Sequence, residues 1–315
     1  MNFLRSRWIW RLILPVLLAG AILTWVGARQ ALDAMSRVPL DSLVFVLLGF
    51  LVVHVGCALK WRMTLQGFGA TLNRRSAIRA HGAGLAANLW LPSVVGGDLV
   101  RTAMALRDGS RSEALILGSL IDRVADLVAL LTLGVIGLLM RGESHVGSGS
   151  ATTSSVMILG GSVVASLVIG FWGAVRWRWT SLLPKRMQRP GLRLRVALRR
   201  VAIWRLVAAL VISCGLQLSL LLMNRSLAIQ MGTPADLSAW LVAWPLAKAC
   251  AMLPLGLGGL GIREAAFASI ATPLGFPRDL AVSQSLLWQA ILMTGGLIAG
   301  AVCGFTPQTQ KGKPA

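Results

Sequence analysis

The chain has 315 residues, 56% of them hydrophobic and only 13% charged, with a mean hydropathy of +0.72, whereas a soluble domain carries about 25% charge. That balance excludes an ordinary water-soluble enzyme and makes the chain an all-α polytopic membrane protein. A formal net charge of +20 would point to nucleic acid in a soluble protein; here the basic residues gather between apolar runs, where they read as topology signals and contacts for anionic lipid, with no nucleic-acid partner expected.

The N-terminus opens with Arg5, Arg7 and Arg11 around an apolar run over 8–28 that closes on Gly27 and Ala28. A signal peptide shares this grammar, but the length of the run and an even span count favour an uncleaved anchor. Full spans are predicted near 8–28, 41–59, 114–140, 156–175, 204–223 and 280–304, each close to the ~20 residues that cross a bilayer. Trp8, Trp10, Trp61, Trp172, Trp177, Trp179 and Trp204 fall at or near span ends, where indole rings face headgroups.

Basic segments orient the spans. Lys60, Arg62, Arg74, Arg75 and Arg79 follow the second span, and Arg101, Arg107 and Arg111 precede the third. Between Arg176 and Arg205 ten basic residues meet no acidic one, so the loop 176–203 is predicted to be cytoplasmic, together with both termini and the tail 306–315. Its arginines alternate with apolar residues in a manner that also suits an interfacial helix on anionic lipid. The segment "GESHVGSGSATTSS" has the composition of a flexible external loop.

These orientations agree only if 76–111 starts and finishes on one side. Within it stands "LPSVVGGDLVR", and 162 positions later the chain reads "LPLGLGGLGIR". Pro92 and Pro254 each remove a backbone donor, and Gly96, Gly97, Gly258 and Gly259 tolerate the angles that a reversal requires. The same offset maps 41–60 onto 203–222 and 113–140 onto 275–302. The expected architecture is six spans plus two re-entrant broken-helix hairpins, with repeat units 41–140 and 203–302 in opposite orientation within one domain over 1–305, a plan familiar from transporters. The alternative is eight full spans.

The third span carries Asp122, Arg123 and Asp126 inside an apolar helix, with the two carboxylates four apart and on one face. Charge at such depth marks a cavity or bundle interior, although an ion pair of the carboxylates with Arg123 or Arg101 that locks the hairpin is the bland reading. Arg101 and Arg263 stand at matching places after the two breaks, with Asp98 and Glu264 beside them. Arginine forks and new helix N-termini both suit phosphate. Lys248 either lines the same cavity or snorkels to a surface, and Asn88 and Gln217 read as interhelical hydrogen-bond partners.

"GLGGLG" over 256–261 lacks the strand and βαβ context of a dinucleotide site. No phosphate-binding P-loop, hydrolase elbow or zinc-protease motif stands in the chain, so neither a catalytic residue nor a cofactor is expected. Cys57, Cys214, Cys250 and Cys303, like His54, His81 and His145, show no metal-ligand spacing, which leaves no metal site expected.

On "LPSVVGGDLVRTAMAL", "SLIDRVADLVALL" and "LPLGLGGLGIREAAF" the sequence resembles the membrane domain of the lysylphosphatidylglycerol synthases, also described as a flippase-like family, over residues 10 to 305. The resemblance implies movement of a phospholipid or polyprenyl-linked lipid between leaflets of a bacterial inner membrane. The alternative is a non-catalytic accessory subunit that holds a glycosyltransferase or lipid-modifying enzyme. Aminoacyl transfer, which the synthases perform with a separate soluble domain, is not expected of this chain.

Overall fold

A computed structural model describes residues 28–90, 94–109, 111–144, 202–233, 236–252 and 262–305. The predicted span at 156–175, the first span up to residue 27, the arginine loop up to residue 201, and Pro92, Pro254, Gly258 and Gly259 lie outside them. The described residues form α1 (Ala28–Ser36), α2 (Leu40–Gly67), α3 (Arg74–Trp90), α4 (Val94–Arg107), α5 (Ser112–Ser144), α6 (Ile203–Gln230), α7 (Leu237–Met252), α8 (Ile262–Ala271) and α9 (Arg278–Phe305). Among them there is no strand.

Four helices, α2, α5, α6 and α9, are long and apolar enough to cross a membrane, and they stand where the sequence places its second, third, fifth and sixth spans. Their outer faces are apolar: Phe45 and Val52 of α2 are 73% and 70% exposed, while Lys60, Asp122 and Gln217 are buried. Apolar outside and polar inside is the pattern of a helix bundle that faces lipid.

The intervening helices are shorter. α3 and α4 have 17 and 14 residues, α7 and α8 have 16 and 10, so at 1.5 Å per residue each stops short of a hydrocarbon core about 30 Å thick. Gly84 faces Gly97 and Arg101, and Asn88 also faces Gly97, so α3 and α4 run antiparallel. Trp240 and Trp244 of α7 both pack on Phe267 of α8.

Each short pair is seated against the other half of the chain. α7 packs most extensively on α5, and α3 packs on α9 nearly as extensively as on its neighbour α4. Gly137 of α5 meets Ser238 and Leu241, whereas Ala299, 162 positions after Gly137, meets Gly82 of α3. The equivalent spans α2 and α6 run antiparallel, since Gly49 faces Met223 and Gly56 faces Leu216.

The helix contacts are close enough to predict substitutions. A Cβ at Gly137 would lie 2.6 Å from the Leu241 Cβ and 2.8 Å from the Ser238 carbonyl oxygen, while one at Gly134 meets nothing nearer than 3.9 Å. Gly137→Ala is expected to cost about 1–3 kcal/mol through overpacking, and Gly134→Ala to be neutral or to stabilise by up to about 1 kcal/mol through helix propensity. Thermal unfolding of the two variants in detergent checks the contrast.

Gly96 and Gly97 depart from the sequence expectation. Both are helical residues within α4, and neither has a positive φ. Their smallness serves close approach: a Cβ at Gly97 would collide with the Gly84 carbonyl oxygen and the Asn88 side chain. Left-handed glycine geometry occurs instead at Gly69, Gly109, Gly232 and Gly275, just beyond helix ends, where it is cheapest for glycine.

Candidate functional site

A cavity of about 270 Å³ lies where α2 to α9 converge. Its lining draws from both halves of the chain: Asp98 and Arg101 from α4, Asp122, Arg123 and Asp126 from α5, Lys248 from α7 and Arg263 from α8. Glu264, itself buried, is bonded to Arg263. All eight charged residues singled out in the sequence therefore stand at or beside one space.

The α4–α5 side is a closed ion network. Lys60 of α2, 2% exposed, approaches Asp122 at 3.1 Å and Asp126 at 2.5 Å, and its Nζ donates to Ser213 Oγ at 2.8 Å. The Ser213 hydroxyl in turn donates to Asp126 at 2.9 Å. Arg101 pairs with Asp98 at 3.0 Å and with Asp122 at 3.4 Å, and its guanidinium lies 4.7 Å from the Trp61 ring centre. Arg123 grips Asp98 with two hydrogen bonds, from Nε at 2.7 Å and from a terminal nitrogen. Buried charges persist only when paired and hydrogen-bonded, and each of these carboxylates is engaged by at least one cation.

The α7–α8 side is less compensated. Lys248 donates to the neutral Gln217 Oε1 at 2.7 Å and has no carboxylate partner among the described residues. Arg263 bonds Glu264 at 2.6 Å and Gln289 at 2.8 Å, and its buried Nε has no acceptor among the described residues. The indole nitrogen of Trp244, also on the cavity wall, is likewise buried without an acceptor among them. The site thus sets five cations against four carboxylates, with the surplus positive charge and the open donors on this side.

The ion network has no counterpart in the second half. Positions 162 after Lys60, Asp122 and Asp126 are Leu222, Gln284 and Trp288. There Gln284 and Asn224, both buried, form a neutral hydrogen-bonded pair. Arg263 alone repeats its first-half equivalent, Arg101.

Several residues read differently in three dimensions. Lys60, taken from sequence as a flanking topology charge, is the hub of the network, because α2 continues to Gly67 and places it inside the helix. Trp61, expected to face headgroups, is fully buried and donates to Ser119; Trp204, 61% exposed, keeps the outward place expected of it. Asn88 accepts from the Gly97 backbone N–H at 2.8 Å, which satisfies one of the free donors in the first turn of α4. Gln217 is the interhelical partner that sequence proposed. His54, Cys57 and His81, scattered in sequence, come together on the cavity wall.

The family model for the lysylphosphatidylglycerol synthase TM region matches residues 12–300. No curated protein matches the chain.

Proposed function

The chain belongs to the family of the lysylphosphatidylglycerol synthase TM region, and from that premise we propose that it is a lipid translocator of a bacterial inner membrane, with both termini cytoplasmic. In this reading α3–α4 and α7–α8 are re-entrant hairpins that enter from opposite leaflets, in repeat units 41–140 and 203–302 of inverted orientation. The reciprocal seating of each hairpin against the other half, and the antiparallel packing of α2 on α6, support it. So does the length of the short helices, below that of a span.

The observation that carries the reading is the uncompensated side of the cavity. A single anionic phosphate, from a phospholipid or a prenyl-phosphate lipid, would offset the surplus positive charge and accept from Lys248, the Arg263 Nε and the Trp244 indole. Arginine and lysine are the usual phosphate donors. The acyl or prenyl chains stay in lipid throughout, so only the headgroup needs the polar path. Transport then runs downhill or is coupled to an ion gradient.

A second reading rests on the ten basic residues between Arg176 and Arg205, which would hold a glycosyltransferase or lipid-modifying enzyme at the membrane. Liposome reconstitution separates the two. Wild-type protein is expected to accelerate leaflet exchange of reporter phospholipids or of a reporter prenyl phosphate over empty liposomes. Arg193, Arg195, Arg199 and Arg200 changed together to Gln should leave that rate within about twofold, given the small energies of solvated surface charge. Exchange at the empty-liposome rate for every reporter would instead favour the accessory role.

A further inference from the structure

Beside the ion network, and using none of its residues, the cavity wall holds two imidazoles and a thiol. His54 and Cys57 are three apart on α2, which places them on one helix face; His81 reaches them from α3. The His54 Nδ1 and His81 Nε2 atoms are 3.1 Å apart, and one ligand atom from each of the three residues lies within 4.8 Å of the others. Cys57 is a free thiol. We propose that His54, Cys57 and His81 form a binding site for one soft monovalent metal ion, copper(I).

The geometry needs little change. Two imidazole nitrogens at about 2.0 Å from a shared ion in a three-coordinate plane stand about 3.5 Å apart, and a thiolate at about 2.3 Å stands about 3.7 Å from each. The histidine nitrogens therefore open by a few tenths of an ångström, and the thiol closes by a side-chain rotation. No fourth carboxylate, histidine or cysteine joins the group among the described residues, and three ligands complete a trigonal site.

Charge selects between metals. One thiolate and two neutral imidazoles make a copper(I) centre with no net charge, whereas zinc(II) would leave a positive centre. The neighbouring cavity already has more cations than carboxylates, so the neutral centre costs least there. The surroundings are also soft: the Phe50 ring lies 4.2 Å from the His54 ring, and Phe50 packs edge-on against Trp288. Thiolate and imidazole ligands in such a setting favour copper(I). Because its ligands come from two helices, the bound ion ties α2 to α3.

Purified full-length protein, with Cys214, Cys250 and Cys303 changed to Ser, would be titrated anaerobically with copper(I) against a coloured chelator. The expected result is one high-affinity equivalent, a raised thermal midpoint on loading, and X-ray absorption with one sulfur and two nitrogen neighbours. Cys57→Ser and His81→Gln should each abolish the high-affinity step, with His54→Gln as the substitute if His81→Gln does not fold. Leaflet exchange by the metal-free variants is a separate readout, so failure here leaves the translocator reading untouched. Equal copper uptake by wild type and Cys57→Ser would be adventitious binding only and would overturn the site, as would tighter retention of zinc(II) than of copper(I).

Discussion

Lys60→Met is expected to destabilise the protein by about 3–5 kcal/mol, the largest effect of any single substitution considered. Among the described residues Lys60 is the one cation that reaches both Asp122 and Asp126. Among the described residues its loss leaves Asp126 with the Ser213 hydroxyl and Asp122 with Arg101 at 3.4 Å. Breaking a buried pair from one side leaves an uncompensated charge, which costs about that much, while replacing the whole set with neutral groups can be close to neutral. The triple variant Lys60→Met, Asp122→Asn, Asp126→Asn should therefore recover part of the loss. Unfolding midpoints of the single and triple variants in detergent would measure this. A single variant as stable as wild type would mean that water, rather than Lys60, compensates the carboxylates.

The second large effect is expected at Gly97. A valine there drives its side chain into the Gly84 carbonyl and the Asn88 amide, so α3 and α4 must separate. That separation breaks the bond from the Gly97 N–H to Asn88 and shifts Asp98 and Arg101, which stand within the next turn of the same helix. The cost is about 3 kcal/mol, from overpacking with the loss of a buried hydrogen bond. Because the displaced residues line the cavity, any folded protein should also lose leaflet exchange. Gly215→Val, where a Cβ meets nothing within 4 Å, is the control expected to keep both stability and exchange. Equal behaviour of the two variants would show that the hairpin tolerates separation.

Much of this molecule is written in its sequence, and the parts that are not share a cause. The four described spans are legible because each is a long apolar run bounded by charge or turn residues. The short helices α3, α4, α7 and α8 are harder to read, and the 162-residue offset between Pro92 and Pro254 is the one sequence signal that sets those stretches apart from the long spans. Asp122 and Asp126 stand out because a carboxylate in an apolar helix has no cheap explanation. Lys60 does not stand out, since it closes an apolar run ahead of Arg62 and imitates a positive-inside flank. Its partners lie on α5 and α6, and no local pattern announces contacts at such separations. A signal that could have found it is adjacency: Lys60 follows His54 and Cys57 along one helix, so α2 carries several polar groups toward the bundle interior.

The glycine pair shows a different limit. Glycine permits unusual backbone angles and also permits close approach, and sequence does not say which use applies. At Gly97 the use is close approach, within α4 and against Gly84 of α3. The difference between the halves stands in the sequence, where Leu222, Gln284 and Trp288 follow Lys60, Asp122 and Asp126 by 162 positions, but it has no meaning until those three residues are seen to form one network. A repeat in the chain argues for two similar sites, yet Gln284 and Asn224 stand where charge would be expected. The second half supplies two cations, Lys248 and Arg263, against one carboxylate, Glu264.

That asymmetry makes the decisive measurement a comparison across the cavity. Wild type, Arg263→Ala and Lys248→Met would be reconstituted at equal density into liposomes carrying a phosphate-headgroup reporter, and leaflet exchange followed in each. A hydrogen bond to a charged group is worth about 1.5–3 kcal/mol, roughly a tenfold to hundredfold change in rate. The account predicts fast exchange in wild type and a fall of roughly tenfold or more in both folded variants. Exchange in the variants as fast as in wild type would contradict it, because headgroups would then be crossing by a path that does not touch the cavity.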